Sequence, residues 1–215
     1  MLKFTYSILD KSDTYVRVLF IDSSAFNTIQ PHLMISKLLQ MDIPDDLCLW
    51  VLEFLTDRRQ LVRVGDCYSS MRAINTGAPQ GCVLSPVLFI LYTNSFQGTQ
   101  TGCRILKYAD DTVVIGMVTN SDETDYRTEI GSVVQWCEEN HLVLNATKTK
   151  EMVFDFRQRP SCVFPVNIRN ANVELVCSYK YLGIVIDDKL RWDENTDRLQ
   201  RLCFSEETKA LSFGQ

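Results

Sequence analysis

Residues 104–118 read RILKYADDTVVIGMV, two apolar runs on either side of an acidic pair, Asp110 and Asp111. The pattern predicts strand, tight turn and strand. Two adjacent aspartates at such a tip resist simultaneous ionisation unless a cation neutralises them. A third acid, Asp22, ends another short apolar run, VRVLFI at 16–21. If the two strands lie side by side, three carboxylates converge on one edge of a sheet. Hard oxygen ligands in that number suit Mg²⁺, which keeps its other positions for water and phosphate. Two such ions about 3.5–4 Å apart could clamp the attacking and leaving oxygens of an in-line phosphoryl displacement. The plainer alternative is that the pair only makes a hairpin turn.

Outward from this hairpin, Pro31 opens a helix to Met41. A second follows, with Pro44 in its first turn, Asp45 and Asp46 at its positive end, and Leu47, Trp50, Val51, Phe54 and Leu55 at helical spacing. LVRV (61–64), Gly65-Asp66 and YSSMRAI (68–74) predict a hairpin whose turn pair supplies the positive dihedrals. Residues 83–94, VLSPVLFILYTN, are apolar on nearly all sides and predict a central buried helix. Between 121 and 140, Tyr126, Ile130, Val133, Val134 and Cys137 draw one stripe, a surface helix on the sheet. Strands are expected at about 151–156, 163–168, 172–176 and 179–186, and beyond Asp187 the pattern weakens. The expectation is an α+β fold with helices on one face of an antiparallel sheet.

The helix at 83–94 is preceded by Thr76-Gly77-Ala78-Pro79-Gln80-Gly81-Cys82. Two glycines and a proline fix an unusual backbone path that lets a ligand approach the main chain, and a helix start offers amide donors to an anion. Gln80 adds a side chain able to hydrogen-bond a base or sugar. The alternative is an ordinary loop before a helix.

Composition narrows the classes. At 215 residues and 46% hydrophobic content the chain can bury a real core. The net charge of -5 argues against a surface that holds nucleic acid everywhere, though not against a local basic channel. The 8 cysteines have irregular gaps and no CxxC pair, and read as reduced thiols of an intracellular protein, nucleus or cytoplasm undistinguished. No stretch has the length of a signal peptide or membrane span, so no membrane partner is expected. His32 and His141 lack partners at metal-ligand spacing.

The order DSSAF, TGAPQGCVLSPVLFILYTN, YADD, LNATKTK and YKYLGIVI resembles motifs A to E of the reverse transcriptases of non-LTR (LINE-type) retrotransposons, from about Tyr15 to Asp188. Several motifs in order are a stronger signal than any one. The resemblance implies a polymerase palm, with the fingers missing and the thumb incomplete. It divides the chain into a partial palm at 1–187 and the start of a thumb or connection at 188–215. Asp22 and Asp110 would bind two Mg²⁺ ions, Mn²⁺ being an alternative, with Asp111 as the weaker third carboxylate. Phe26 would be the steric gate under the incoming sugar, and Gln80 and Gly81 would lie along template and nucleotide. Lys148 would protonate the pyrophosphate leaving group, or else is a solvated surface lysine. Tyr181, Leu182 and Gly183 would belong to the hairpin that grips the primer end, or else form a strand with a glycine bulge. The implied partners are an RNA template, a DNA primer and deoxynucleoside triphosphates.

One departure stands out. Asp22 and Phe26 are four positions apart, where five is usual in the family. In extended chain, losing one residue sends every later side chain to the opposite face unless a bulge absorbs the slip. The competing reading is therefore a catalytically inactive, element-derived fragment with at most weak RNA binding. A metal-dependent phosphatase or nuclease would leave the TGAPQGC loop without a role.

Overall fold

A computed structural model describes residues 1, 5, 6, 8, 13–22, 25–109, 111–158 and 162–201, without the side chains of Ala25 and Phe26. Its centre is β1 (Thr14–Ile21), a strand in which every residue is buried. Both faces of a central strand are covered, so apolar residues run continuously instead of alternating. β1 pairs antiparallel with β7 (Asp111–Thr119) on one side and β8 (Lys150–Phe154) on the other. β6 (Cys103–Tyr108) adds to β7 as a hairpin, and β11 (Glu174–Leu175) adds parallel to β8, giving the order β11-β8-β1-β7-β6.

One face carries Leu19, Ile21 and Val114 and is covered by helices α2 (Pro31–Gln40), α3 (Asp45–Leu55), α4 (Leu84–Tyr92) and α5 (Thr124–Glu139). The other carries Val16, Val18, Phe20, Val113, Ile115, Met152 and Phe154, and is covered by the hairpin of β12 (Ser178–Tyr181) and β13 (Ile184–Asp187) through Tyr179, Tyr181 and Ile186. The stripe expected on α5 is real, with Tyr126, Ile130, Val133 and Cys137 all buried. Tyr126 lies so close to β7 that only a glycine, Gly116, fits beneath it.

The helix face of β1 also buries a cation. Arg17 pairs with Glu151 and with Glu123, each at 2.6 Å, and Arg17 and Glu151 are both 0% exposed. Tyr126 donates to Glu151 at 2.8 Å, Tyr15 to Glu123 at 2.8 Å, and Arg17 to the Phe164 carbonyl at 2.9 Å. Nε and one Nη of Arg17 are hydrogen-bonded, and the other Nη, which makes no hydrogen bond, faces the Glu123 carboxylate, so two acids compensate the buried charge.

Several expectations need correction. α4 buries Ser85, Leu88, Phe89 and Tyr92, while Val83, Val87 and Ile90 are exposed, so it is a one-sided helix and not buried all round. Hydrophobic content alone cannot tell which flank a neighbour covers. On α3, Cys48, Val51 and Leu55 face the core, whereas Leu47 and Trp50 face out. The strand expected at 163–168 is reduced to β9 (Asn167–Ile168), paired with β10 (Ala171–Asn172). The run 179–186 is folded back on itself at Leu182 and Gly183, and 193–201 is helical.

The hairpin expected after α3 forms in two tiers. β2 (Arg58–Gln60) pairs with β5 (Arg72–Ile74), and β3 (Arg63–Val64) with β4 (Cys67–Tyr68). At its tip only Gly65 is left-handed, at φ 60°, with Asp66 ordinary, which is the II′ pattern instead of the doubly left-handed I′.

Candidate active site

The last registered pair of β1 and β7 is Ile21 with Thr112. One step further along both strands stand Asp22 and Asp111. Side chains alternate along a strand, so both acids belong to the face of Phe20 and Val113, away from the helices. In β6–β7 the pairing runs to Tyr108 with Asp111, and Ala109 at φ 52° starts the turn between them. Asp110 lies outside the described residues. Two of the three carboxylates expected to converge are thus at one sheet edge.

Two tyrosines stand over that edge. The Tyr179 ring stacks on Phe20 at 4.2 Å and the Tyr181 ring lies 5.6 Å from it. Burial raises the Tyr179 hydroxyl above its ordinary pKa, and the Asp111 and Asp22 charges push it the same way. Tyr181 is raised by burial, by Asp111 and by Tyr179. Tyr179 therefore feels both acids at once. It was missed in the sequence although the spacing Tyr179-Lys180-Tyr181 puts both rings on one face. Leu182 at φ 48° and Gly183 at φ 85° form the tip of this hairpin. Both turn residues are left-handed, as in a type I′ turn. Arg198, from the helix at 193–201, donates to the Gly183 carbonyl at 2.9 Å.

The LNATKTK segment is tied to the same edge by its backbone. The amide of Asn145 donates to the carbonyl of Asp22 at 3.0 Å, and the amide of Asp22 to the Thr149 hydroxyl at 3.4 Å. The Asn145 side chain accepts from the Thr147 amide and hydroxyl and from the Lys148 amide, closing a tight local turn. Lys148 is exposed beside this anchor.

Beyond Asp22, the next described element is a four-residue helix, α1 (Ala25–Thr28). β1 ends at Ile21 and the backbone is helical from Ala25, and residues 23 and 24, where the spacing departs from the family's, lie outside the described residues. The Phe26 ring lies outside the described residues. From the neighbouring turn of α1, Asn27 accepts from the Gln80 amide at 3.2 Å, which links the TGAPQGC loop to the chain leaving Asp22. Gln80 and Gly81 are exposed, and Gly77 and Gly81 are left-handed at φ 70° and 81°. Gly81 has open space where a Cβ would go, so its glycine serves backbone conformation and not close packing.

Arg58 holds this loop. Its guanidinium donates to the carbonyls of Thr76 and Gly77, the latter at 2.8 Å, and to Leu55 at 3.2 Å, where α3 ends. It looks in the sequence like a charge closing a helix, since nothing local reveals carbonyls that the fold delivers from another segment.

Asp22 and Asp111 offer carboxylate oxygens, the donor type a divalent cation takes, at adjacent strand ends, and among the described residues no third ligand joins them. No helix among the described residues is long and apolar enough to cross a membrane.

Comparisons with known proteins agree with this arrangement. The family described as reverse transcriptase (RNA-dependent DNA polymerase) matches residues 3–186. The probable RNA-directed DNA polymerase from transposon BS of Drosophila melanogaster is 27% identical over 200 residues, covering 88% of this chain and 22% of that protein. The RNA-directed DNA polymerase from mobile element jockey of Drosophila funebris is 28% identical over 212 residues, covering 93% of this chain and 22% of that protein. The chain thus spans about a fifth of the length of these relatives. Among solved structures, apo telomerase from Candida tropicalis, truncated of its C-terminal domain, superposes with a TM-score of 0.57 at 15% identity, covering 88% of this chain and 38% of that one. Motif order, the acidic sheet edge and a family match over most of its length together make this chain a member of the reverse transcriptase family, of the non-LTR, LINE-type retrotransposon kind.

Proposed function

We propose that the chain is the palm of an RNA-directed DNA polymerase, extending a DNA primer on an RNA template with deoxynucleoside triphosphates. The observation that carries this reading is the juxtaposition of Asp22 and Asp111 on one sheet face under Tyr179. Asp22, Asp110 and Asp111 would hold two Mg²⁺ ions, or Mn²⁺ in their place. When bound, the ions supply Lewis acidity at the attacking and leaving oxygens of an in-line displacement.

The chain's own residues do the rest. The Asp22 backbone is held from behind by Asn145 and Thr149, which limits how far the chain must shift for its carboxylate to serve the metal. Gln80 and Gly81 lie along template and nucleotide, in a loop that Arg58 keeps in one path. Phe26 is assigned the steric gate. Lys148 donates a proton to the departing pyrophosphate, a role for a mobile ammonium that is both charge and acid. Tyr181, Leu182 and Gly183 hold the primer end. Residues 1–187 are read as palm and 188–215 as the start of a thumb.

A second reading, an inactive element-derived chain that binds RNA weakly, is favoured by the spacing of four between Asp22 and Phe26. Primer extension on a homopolymer RNA template with Mg²⁺ or Mn²⁺ separates the two. Extension that Asp111→Asn abolishes supports the polymerase. No extension, restored by inserting one aromatic residue after Asp22, supports the inactive remnant. Extension that survives Asp110→Asn removes the metal assignment.

A further inference from the structure

The stretch 42–57 carries five acids, Asp42, Asp45, Asp46, Glu53 and Asp57, and no base, whereas the stretch 58–74 carries four arginines against one acid, Asp66. The first is α3 with its flanks, and the second is the two-tiered arm β2–β5. Both hold large apolar side chains in water. On α3, Leu47, Leu49 and Trp50 are 52–59% exposed, and the Trp50 ring stacks on Phe54 at 6.0 Å. On the arm every residue from Arg59 to Ala73 is exposed, Leu61, Val62, Val64, Tyr68 and Met71 among them. A two-stranded hairpin with no core behind it is marginal in water, and large exposed apolar patches mark interaction surfaces. The five acids make no ion pair among the described residues, and neither do Arg59, Arg72 and Arg58, the last being occupied with backbone carbonyls. Arg63 is held by Asp66 at 3.9 Å, which leaves the outer tier neutral.

We propose that α3 and the arm are the two halves of one interface, the arm of one copy of this chain seating on α3 of a second copy, with the reverse contact made across a two-fold axis. A two-fold pair needs a surface that is self-complementary as a whole, so that residue i meets j and j meets i. An acidic helix bearing Trp50 and a basic arm bearing Tyr68 meet that condition, because each carries the sign the other lacks. Arm on arm, or helix on helix, would bring like charges together. Within one copy the arm leaves α3 through Thr56 and Asp57, and the outward residues of both stay exposed, so the two do not cover each other. Residues 45–74 are also about as many as a standard interface draws from each side, roughly 20–30, and Trp, Tyr and Arg are the types that carry most of the binding energy. A nucleic acid would answer the arm's charge, but the five acids would repel it and the face of α3 would stay bare. A second copy covers both at once. The dimer does not depend on the polymerase reading.

The test is sedimentation velocity of the intact chain over a range of concentrations, without nucleic acid. The wild type should dimerise with a micromolar or tighter dissociation constant. Raising salt from about 0.1 M to about 1 M should weaken the dimer at least about threefold, since the Debye length falls from about 10 Å to about 3 Å. Arg59→Glu/Arg72→Glu and, separately, Asp45→Lys/Asp46→Lys should each weaken it at least about tenfold, because like charges then face each other. Mixed one to one, these two variants should pair with each other about as tightly as the wild type, since every reversed patch meets its opposite. Such rescue comes only from folded chains, so misfolding does not imitate it. If a double reversal loses its wild-type circular dichroism, the single reversals Arg72→Glu and Asp46→Lys give the same pattern at smaller amplitude. Trp50→Ala should weaken the dimer at least about tenfold, as truncation of a central anchor does, and Arg169→Gln, on the β9–β10 turn, should dimerise as wild type. A wild type still monomeric at about 100 µM, a dimer indifferent to either reversal, or folded reversed chains that do not pair when mixed would each overturn the proposal.

Discussion

The backbone amide of Asn145 donates to the backbone carbonyl of Asp22 across 3.0 Å, joining the segment that carries Lys148 to the end of β1. Asn145 also accepts three local hydrogen bonds through its side chain. Asn145→Ala keeps the backbone contact and unmakes the turn that presents it. We expect a loss of about 1–2 kcal/mol by urea unfolding. In any actively extending form, kcat should fall more than KM rises if Lys148 serves the leaving group as proposed.

Glu151 is the hub of the buried network, paired with Arg17 and accepting from Tyr126 and from the Val166 amide at 3.1 Å. Glu151→Ala takes from the buried Arg17 its fully buried acid, leaving Glu123 at the margin of the core, and should cost about 3 kcal/mol, read from the chemical denaturation midpoint. A cost below about 1 kcal/mol would mean that water reaches Arg17 in solution.

Gly116 faces the Tyr126 ring, and a Cβ added there would lie 2.8 and 2.9 Å from Tyr126 Cγ and Cβ. Neither β7 nor α5 can retreat without opening the core. Gly116→Ala should therefore destabilise by about 1–3 kcal/mol, although alanine is otherwise a harmless strand residue. Pairing it with Tyr126→Ala, which removes Cγ and the ring, should relieve most of the clash, and a double-mutant cycle measures how much.

Leu182 is 47% exposed and holds a left-handed backbone at φ 48°. A leucine in that region costs about 1–2 kcal/mol, which asparagine largely avoids. Leu182→Asn should leave the thermal midpoint unchanged or raise it, while lowering primer affinity if the tip grips the primer. An improved primer affinity would remove Leu182 from the proposed site.

Alkaline pH probes both faces of the sheet. Tyr126 is raised well above its ordinary pKa, first by burial and then by Glu151, and Tyr179 is raised by burial, Asp111 and Asp22. Folded phenols keep their protons where unfolded ones ionise, near pH 10. Stability from these tyrosines is thus full below about pH 10 and is lost as pH rises toward the folded-state values. Asp111→Asn should lower the pKa of Tyr179, seen as earlier tyrosinate absorbance, and leave Tyr126 in place.

Much of the fold was legible in the sequence because it rests on local periodicity. The run 16–21 ends in an acid, the stripe of α5 recurs at helical spacing, and Gly65 marks a turn; each needs only neighbouring residues. The site motifs were legible for the same reason, as short strings whose glycines, acids and prolines are adjacent. Exposure was not, as the outward faces of α3 and α4 show. An apolar residue carries no record of whether another segment will cover it.

By itself, the sequence determined the elements, the motif order and the chemistry each motif can offer, since propensity and charge are properties of a residue and its near neighbours. Only the tertiary structure decided that Asp22 and Asp111 share a sheet edge, that Tyr179 stands over both, and that Arg58 serves the Thr76–Gly77 backbone. Those relations come from strand register and packing between distant segments, where one residue of slip would move every side chain to the other face.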